Sequence, residues 1–154
     1  MHSEAGTYIL VLDAAATTTL SVGQQGEMAI EPGWYLYVGS AFGPGGVRAR
    51  VRRHARSQAT HWHIDYLRPV TTLRAVWYTH DAARRECDWA SVLAARPGVD
   101  IPLEGVGATD CACAAHLLHQ ATAPALDAFR EAVTAHIPNH APIHSASLPI
   151  ASDE

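Results

Sequence analysis

Apolar runs in the first quarter of the chain predict β-strands. Each run is rich in β-branched, aromatic or aliphatic residues and is bounded by turn-forming residues, as is typical of short strands. These runs are residues 7–12, 17–22, 27–30 and 34–38. The middle two flank a glycine-containing turn and predict a hairpin. We expect these first strands to be antiparallel neighbours.

Segments largely free of glycine and proline predict helices in the rest of the chain. The predicted helices are residues 47–57, about 60–68, 81–95 and about 124–136, and further strands are predicted at 73–78 and near 115–119. Thr60 and Asp81 are suitable N-cap residues, and Pro69 ends the second helix. This order predicts an α/β (α+β) fold with a small central, mostly antiparallel sheet flanked by helices. We expect one domain over residues 1–137 and a loose tail over 138–154.

The composition is that of a globular domain large enough to fold without metal or disulfide staples. The 154 residues are 48% hydrophobic and 17% charged, and no apolar run approaches the ~18 residues that a membrane helix needs. The first residues lack the basic and apolar regions of a secretory signal, which favours a cytoplasmic protein without membrane association. Three cysteines cannot all pair within the chain, so we expect reduced thiols.

The net charge of −4 hides an uneven distribution along the chain. Residues 34–86 contain nine arginines and three acidic residues, a net charge of +6. The remaining residues contain two arginines and twelve acidic residues, a net charge of −10. Lysine is absent, which we attribute to genomic base composition, although arginine also suits bidentate phosphate contacts. A basic segment within an acidic protein can present a surface that binds nucleic-acid phosphates.

Short motifs follow one another on the predicted elements in a distinctive order. Gly6-Thr7-Tyr8 and Tyr37-Val38-Gly39 lie on two predicted strands. Arg50 and His54 follow on the arginine-rich helix, four residues apart and therefore on one helical face. This set resembles the GIY-YIG nuclease superfamily, which has paired tyrosine motifs on adjacent strands and an arginine helix after them.

Later positions extend the resemblance. His61 is similar to a histidine of phage homing endonucleases in the superfamily, and Glu86 lies in a helix where the superfamily places its metal-holding glutamate. The chain looks most like the small stand-alone Uri-type branch (DUF123-like). The stretches that carry this likeness are Trp34–Ala41, His61–Leu67 and Cys111–Leu117. The interval from Tyr8 to Tyr37 is longer than the usual short hairpin of the superfamily and predicts an inserted hairpin.

The resemblance implies the parts of a phosphodiester-cleaving site. The implied catalytic residues are Tyr8, Tyr37, Arg50, His54, His61 and Glu86. Glu86 would hold a single Mg²⁺ or Mn²⁺, which prefers carboxylate and water oxygens, and Arg50 would contact the scissile phosphate. One tyrosine would act as general base or position the water, which needs a nearby cation because the phenol pKa is near ~10. The histidines are candidates for proton shuttling or phosphate contact.

Each of these residues also has a structural explanation. Aromatic residues in apolar strands commonly belong to the core, and a glutamate in a first helical turn can simply form surface ion pairs. Asp65 follows His61 by one turn and can hydrogen-bond it. The remaining arginines of the helix are either solvated or contact nucleic acid; they are Arg48, Arg52, Arg53 and Arg56. A zinc site is a further alternative, although its spacing is unfavourable, at Cys111, Cys113, His116 and His119.

The resemblance therefore implies a divalent-metal-dependent endonuclease that acts on DNA, with branched or structured DNA as one candidate substrate. Two alternatives remain. One is a catalytically inactive nucleic-acid-binding module with the same fold, and the other is an interaction protein that uses the acidic C-terminal half. Salt-dependent DNA binding without metal-dependent cleavage would favour the first alternative, and the absence of such binding would favour the second.

Overall fold

The computed structural model of the chain describes residues 1–22, 26–56, 63–102 and 115–147, with only the backbone described at Arg56 and His63. The strands are β1 (Gly6–Ala14), β2 (Thr18–Ser21), β3 (Glu27–Ile30), β4 (Gly33–Ala41), β5 (Thr72–Thr79), β6 (Val99–Asp100), β7 (Leu117–Gln120) and β8 (His144–Ser147). The helices are α1 (Gly46–Arg56), α2 (Glu86–Ala94) and α3 (Leu126–His136), with short 3₁₀ turns at His63–Tyr66 and Arg68–Val70. Within these ranges, every helix is too short or too polar to traverse a lipid bilayer.

Six strands form one antiparallel sheet in the order β6-β7-β4-β1-β5-β8. Strand β1 pairs with β4 along its whole length, from Gly6 opposite Ala41 to Ala14 opposite Gly33. Its other edge pairs with β5. Strands β2 and β3 form the predicted hairpin as a separate two-stranded sheet. The predicted α+β class with a small antiparallel central sheet is therefore confirmed.

One face of the sheet packs against α1. Tyr8, Leu10 and Leu12 alternate along β1 and point to the same side, because successive strand residues face opposite sides. They share a core with Val47 and Val51 of α1. Both valines are fully buried. The arginine-rich helix is thus anchored on the sheet through its valine positions.

The opposite face packs against α2 and α3. Ile9 and Val11 of β1 enter this second core. Trp89 of α2 and Phe129 of α3 meet edge to face with ring centroids 5.2 Å apart, and Trp77 of β5 stacks on Phe129 at 5.5 Å. Such aromatic pairs bury large apolar areas in favourable relative orientations. Strand β1 is therefore buried on both sides, which explains its continuous apolar run.

The helix predicted over about 60–68 differs from the structure. Its described part forms two short 3₁₀ turns, and residues 57–62 lie outside the described ranges. Pro69 disfavours an α-helical conformation at the residue before it. The two turns are enough to bury Ile64 and Leu67 completely against the α1 side of the sheet.

The helix predicted over 81–95 begins five residues later than predicted, at Glu86. Asp81 does not cap it. The Asp81 carboxylate instead accepts the N–H groups of Ala83 and Ala141, each at 2.9 Å. The Asp81 side chain therefore bonds Ala141, sixty residues later in the chain, and does not cap α2 as the local pattern predicted.

The segment after Pro138 was predicted as a loose tail, but its described part is attached to the fold. Strand β8 pairs with β5 at the edge of the sheet. The Thr79 hydroxyl donates to the carbonyl of Pro142 at 2.8 Å, and the Trp89 indole N–H donates to His140 Nε2 at 2.9 Å. Residues 148–154 lie outside the described ranges. Strand β8 is mostly exposed and lacks the apolar alternation that would have predicted it.

Replacing Asp81 by alanine should destabilise the fold by about 1.5–3 kcal/mol, because it removes a charged acceptor from two backbone N–H groups and from Arg85. The Asp127→Ala variant is the control, since the Asp127 side chain is 90% exposed and its pair with Arg130 should contribute little. Urea denaturation followed by circular dichroism measures both. Equal stability of the two variants would show that Asp81 does not anchor the C-terminal segment.

Candidate active site

Two tyrosines from neighbouring strands lie on the α1 side of the sheet. Tyr8 of β1 is opposite Gly39 of β4, and Tyr37 of β4 is opposite Leu10. Tyr8 and Tyr37 are therefore diagonal neighbours on one face of the sheet. Their residues are only 1% and 7% exposed. The two tyrosine motifs of the sequence thus meet in one place.

The ring of Tyr8 lies across Gly39. A Cβ atom at Gly39 would be 2.5 Å from both Cζ and Oη of Tyr8, which is far inside van der Waals contact. The glycine of the second motif is needed here for close approach of a ring, since its own backbone φ is not positive. Any side chain at this position would displace the phenol from its place in the site.

Helix α1 brings Arg50 and His54 to these tyrosines. His54 Nε2 lies 2.7 Å from the Tyr8 hydroxyl, within hydrogen-bond distance, and the His54 ring meets Tyr37 edge-on at 6.0 Å. Arg50 donates to the carbonyl oxygen of Ser40 at 3.0 Å and also hydrogen-bonds the Tyr8 phenol. The four-residue spacing of Arg50 and His54 thus places both side chains beside the two tyrosines, on one face of the helix as predicted.

Backbone contacts fix both ends of α1. At its start, the N–H groups of Val47 and Arg48 donate to the carbonyls of Glu4 and His2. At its end, Arg68 donates to the carbonyl oxygen of His54 at 2.9 Å. These contacts satisfy groups that a helix terminus leaves without intrahelical partners. The position of His54 is therefore set by its own backbone as well as by Tyr8.

Glu86, the first residue of α2, completes the group. Its carboxylate is close enough to raise the pKa of both Tyr8 and Tyr37. The side chain is 24% exposed, and Oε2 lies 3.7 Å from Nδ1 of the buried His116. Glu86 is thus partly accessible at a site where the tyrosines are not.

The donor set at Glu86 can accommodate a hard divalent cation. Mg²⁺ and Mn²⁺ favour oxygen ligands, and Mg²⁺ commonly binds through one or two carboxylates while keeping several waters. Across the described residues, no three His, Cys, Asp or Glu side chains converge into a complete protein cage. Among the described residues of the site, Glu86 offers a partly exposed carboxylate to which such a cation would bind.

Burial keeps both phenols protonated. It raises the pKa of Tyr8 well above its ordinary value near 10, and Tyr37 and Glu86 raise it further against the opposing effect of Arg50. Burial likewise raises the pKa of Tyr37, with Arg50 opposing and Glu86 reinforcing the change. Neither phenol is ionised at neutral pH in this state of the site.

Burial has the opposite consequence for the imidazole. It lowers the pKa of His54 from 6.5 to about 3, and the positive charges of Arg50, Arg53 and Arg68 add to this effect. His54 is therefore neutral at physiological pH. A neutral ring has one nitrogen that donates and one that accepts.

The other arginines of α1 have different surroundings. Arg48 and Arg52 of α1 are half-buried, and Arg53 lies 3.6 Å from the Asp65 carboxylate. Arg50 and Arg53 line a cavity of about 150 Å³ beside the glycine-rich loop between β4 and α1. The side chain of Arg56 and the whole of His61 lie outside the described residues, so their predicted roles remain predictions.

Two site residues were missed or given another role from the sequence. Asp65 was considered only as a structural partner of His61, which lies outside the described residues; its Oδ1 lies 3.9 Å from His54 Nδ1, and its side chain is 1% exposed. His116 was considered only as a zinc ligand, although it lies beside Glu86. The stretch His61–Leu67 stands out in the sequence by its acidic and aromatic residues. The partner of Asp65 depends on how the 3₁₀ turn packs against α1, which the sequence does not show.

The proposed zinc ligands have different surroundings. His119 Nδ1 lies 3.3 Å from an Asp100 carboxylate oxygen, whereas His116 Nε2 lies 3.8 Å from the sulfur of Cys87. Cys87 is in a disulfide bond, so the expectation of reduced thiols is wrong for this residue. The other two cysteines, Cys111 and Cys113, lie outside the described residues.

A family model described as "Domain of unknown function DUF123" matches residues 7–137. The chain belongs to the DUF123 family. The likeness to a DUF123-like branch predicted from the motifs is therefore confirmed at the level of this family. No curated protein and no solved structure matches the chain. The matched range of the DUF123 domain includes the five described site residues, which are Tyr8, Tyr37, Arg50, His54 and Glu86.

A Gly39→Ala substitution in this DUF123 domain should cost about 1–3 kcal/mol of folding stability, because the new methyl group overlaps the Tyr8 ring. Gly43→Ala is the matched control, since a Cβ there meets nothing within 4 Å. Chemical denaturation of both variants tests the packing. If Gly39→Ala is as stable as Gly43→Ala, the Tyr8 ring does not lie across Gly39.

Proposed function

We propose that this DUF123 domain is a divalent-metal-dependent endonuclease of the GIY-YIG type that hydrolyses DNA phosphodiester bonds. The observation that carries the proposal is the convergence of side chains from β1, β4, α1 and α2 on one site. The Tyr8 hydroxyl lies 2.7 Å from His54 Nε2, the Arg50 guanidinium lowers the pKa of Tyr8, and the Glu86 carboxylate raises the pKa of both phenols. The sequence motifs alone point to these same residues.

Arg50 is suited to bind the scissile phosphate. Its contacts with Ser40 and Tyr8 hold the guanidinium at the site. A guanidinium carries five N–H donors in a fixed plane, which matches the oxygens of a phosphate. The cavity lined by Arg50 and Arg53 provides positive charge next to this position. Such fixed donors stabilise the charge that develops on phosphate oxygens during hydrolysis.

Tyr8 is the tyrosine we assign as general base, because its hydroxyl lies 2.7 Å from His54 Nε2. In the proposed step, a water proton passes to the Tyr8 oxygen while the phenol proton passes to His54 Nε2. The water oxygen bonds to phosphorus, the bond from phosphorus to the leaving oxygen breaks, and that oxygen takes a proton from solvent. Tyr37 meets the His54 ring edge-on at 6.0 Å and helps to order the site.

Glu86 is the residue we assign to the divalent cation, Mg²⁺ or Mn²⁺. The bound cation would supply the positive charge that polarises the phosphate and favours the phenolate form of a neighbouring tyrosine. This requirement agrees with the raised pKa of both phenols, since neither is a base without added positive charge. DNA as the substrate is supported by the basic segment over residues 34–86.

One observation favours the inactive nucleic-acid-binding module as a second candidate. Tyr8 is 1% exposed, so a water molecule and a phosphate reach its hydroxyl only if neighbouring side chains move. A module that keeps the arginines of α1 without performing hydrolysis would still bind DNA, with an affinity that falls as salt rises.

Metal-dependent cleavage separates the two candidates. We expect the protein to cut at least one labelled DNA from a set of single-stranded, duplex, branched and flapped substrates with Mg²⁺ or Mn²⁺, and not with EDTA. Glu86→Gln should reduce the rate at least about a hundredfold, since loss of a metal contribution of several kcal/mol corresponds to about tenfold per 1.4 kcal/mol.

The control is Glu131→Gln, which removes an exposed carboxylate from α3, a helix that contributes none of the assigned site residues. This variant should cleave at the wild-type rate. Full activity in Glu86→Gln would refute the metal assignment. Salt-dependent DNA binding by a folded wild-type protein that cuts nothing would establish the inactive module instead.

A further inference from the structure

A buried carboxylate faces the nitrogen of His54 that points away from Tyr8. Asp65 lies in the 3₁₀ turn His63–Tyr66, and its side chain is 1% exposed. Its Oδ1 is 3.9 Å from His54 Nδ1, while His54 Nε2 is 2.7 Å from the Tyr8 hydroxyl. The three side chains therefore form a row from the 3₁₀ turn through α1 to the central strand.

The order of groups in this row decides where the imidazole proton resides. An ionised carboxylate can accept a hydrogen bond but cannot donate one. Its negative charge near Nδ1 favours the tautomer with the proton on Nδ1, as carboxylates behind functional histidines generally do. The Nε2 lone pair then faces Tyr8, so the phenol must be the donor of the 2.7 Å hydrogen bond.

We propose that Asp65 is a positioning residue that holds His54 in the Nδ1–H tautomer and thereby makes Nε2 the acceptor for the Tyr8 proton. Its catalytic consequence rests on the proposed nuclease function, in which that proton must leave Tyr8 when water is activated. Without Asp65, the opposite tautomer would direct an N–H at the phenol oxygen. Tyr8 would then have no base to receive its proton.

The distance of 3.9 Å is longer than a hydrogen bond. At this range the carboxylate acts through its electric field, which is little screened because both side chains are buried. Catalytic hydrogen bonds are often long before substrate binds and shorten in the complex. Asp65 also contacts Arg53 at 3.6 Å, so a purely structural ion pair is the competing explanation.

The nitrogen chemical shifts of His54 distinguish these explanations without requiring cleavage. In ¹⁵N-labelled protein at neutral pH, with the signals assigned by their loss in His54→Gln, we expect a protonated Nδ1 and an unprotonated Nε2. Asp65→Ala should shift the population toward Nε2–H, and Asp65→Asn should shift it less because its amide oxygen still accepts. Asp13→Ala, which removes the carboxylate of the Arg74 pair at the far end of β1, should leave the shifts of His54 unchanged.

Cleavage rates provide the second measurement. Asp65→Ala should lower kcat at least about tenfold with little change in KM, and Asp65→Asn should recover part of the loss. An Nε2–H tautomer in the wild type, or an unchanged tautomer in folded Asp65→Ala, would overturn the inference. If the wild type cuts no DNA, the nuclease proposal fails, while the tautomer measurement still decides whether Asp65 positions His54.

Discussion

The buried contact between Tyr8 and His54 is the interaction on which the rest of the site depends. It joins the central strand of the sheet to α1, and it exists only because Gly39 leaves room for the phenol ring. A hydrogen bond of this kind contributes about 1 kcal/mol when made, but leaving a buried partner unsatisfied costs about 1–3 kcal/mol. The contact therefore fixes the helix orientation, and with it the position of Arg50, more strongly than its net energy suggests.

Burial also determines the resting chemistry of the site. Tyr8, Tyr37 and His54 are all neutral at physiological pH, because desolvation raises the pKa of a phenol and lowers that of an imidazole. The charged groups, Arg50 and Glu86, are more exposed than these rings. Under the proposed nuclease function, such a site needs the positive charge of a bound cation before a phenol proton can move.

The sequence predicted most of the fold and the membership of the site, but not the contacts made by distant segments. Periodic apolar runs predicted β1, β4 and β5, and the order of motifs selected the five described site residues, because both signals are local in the chain. Strand β8 was missed because it is short and polar. Asp81 was assigned to the helix that follows it, whereas tertiary packing gave it Ala141 as a partner, and the sequence did not predict the contact of Asp65 with His54.

The central claim, that Tyr8 and His54 act as one proton-transfer unit, is tested most directly by a double-mutant cycle on single-turnover DNA cleavage. The variants are Tyr8→Phe, His54→Gln and the combination of both. If the two residues act as a unit, the double variant should cleave within about threefold of the slower single variant, because the second change removes nothing that still functions. If the two losses multiply, Tyr8 and His54 contribute independently and the account is contradicted.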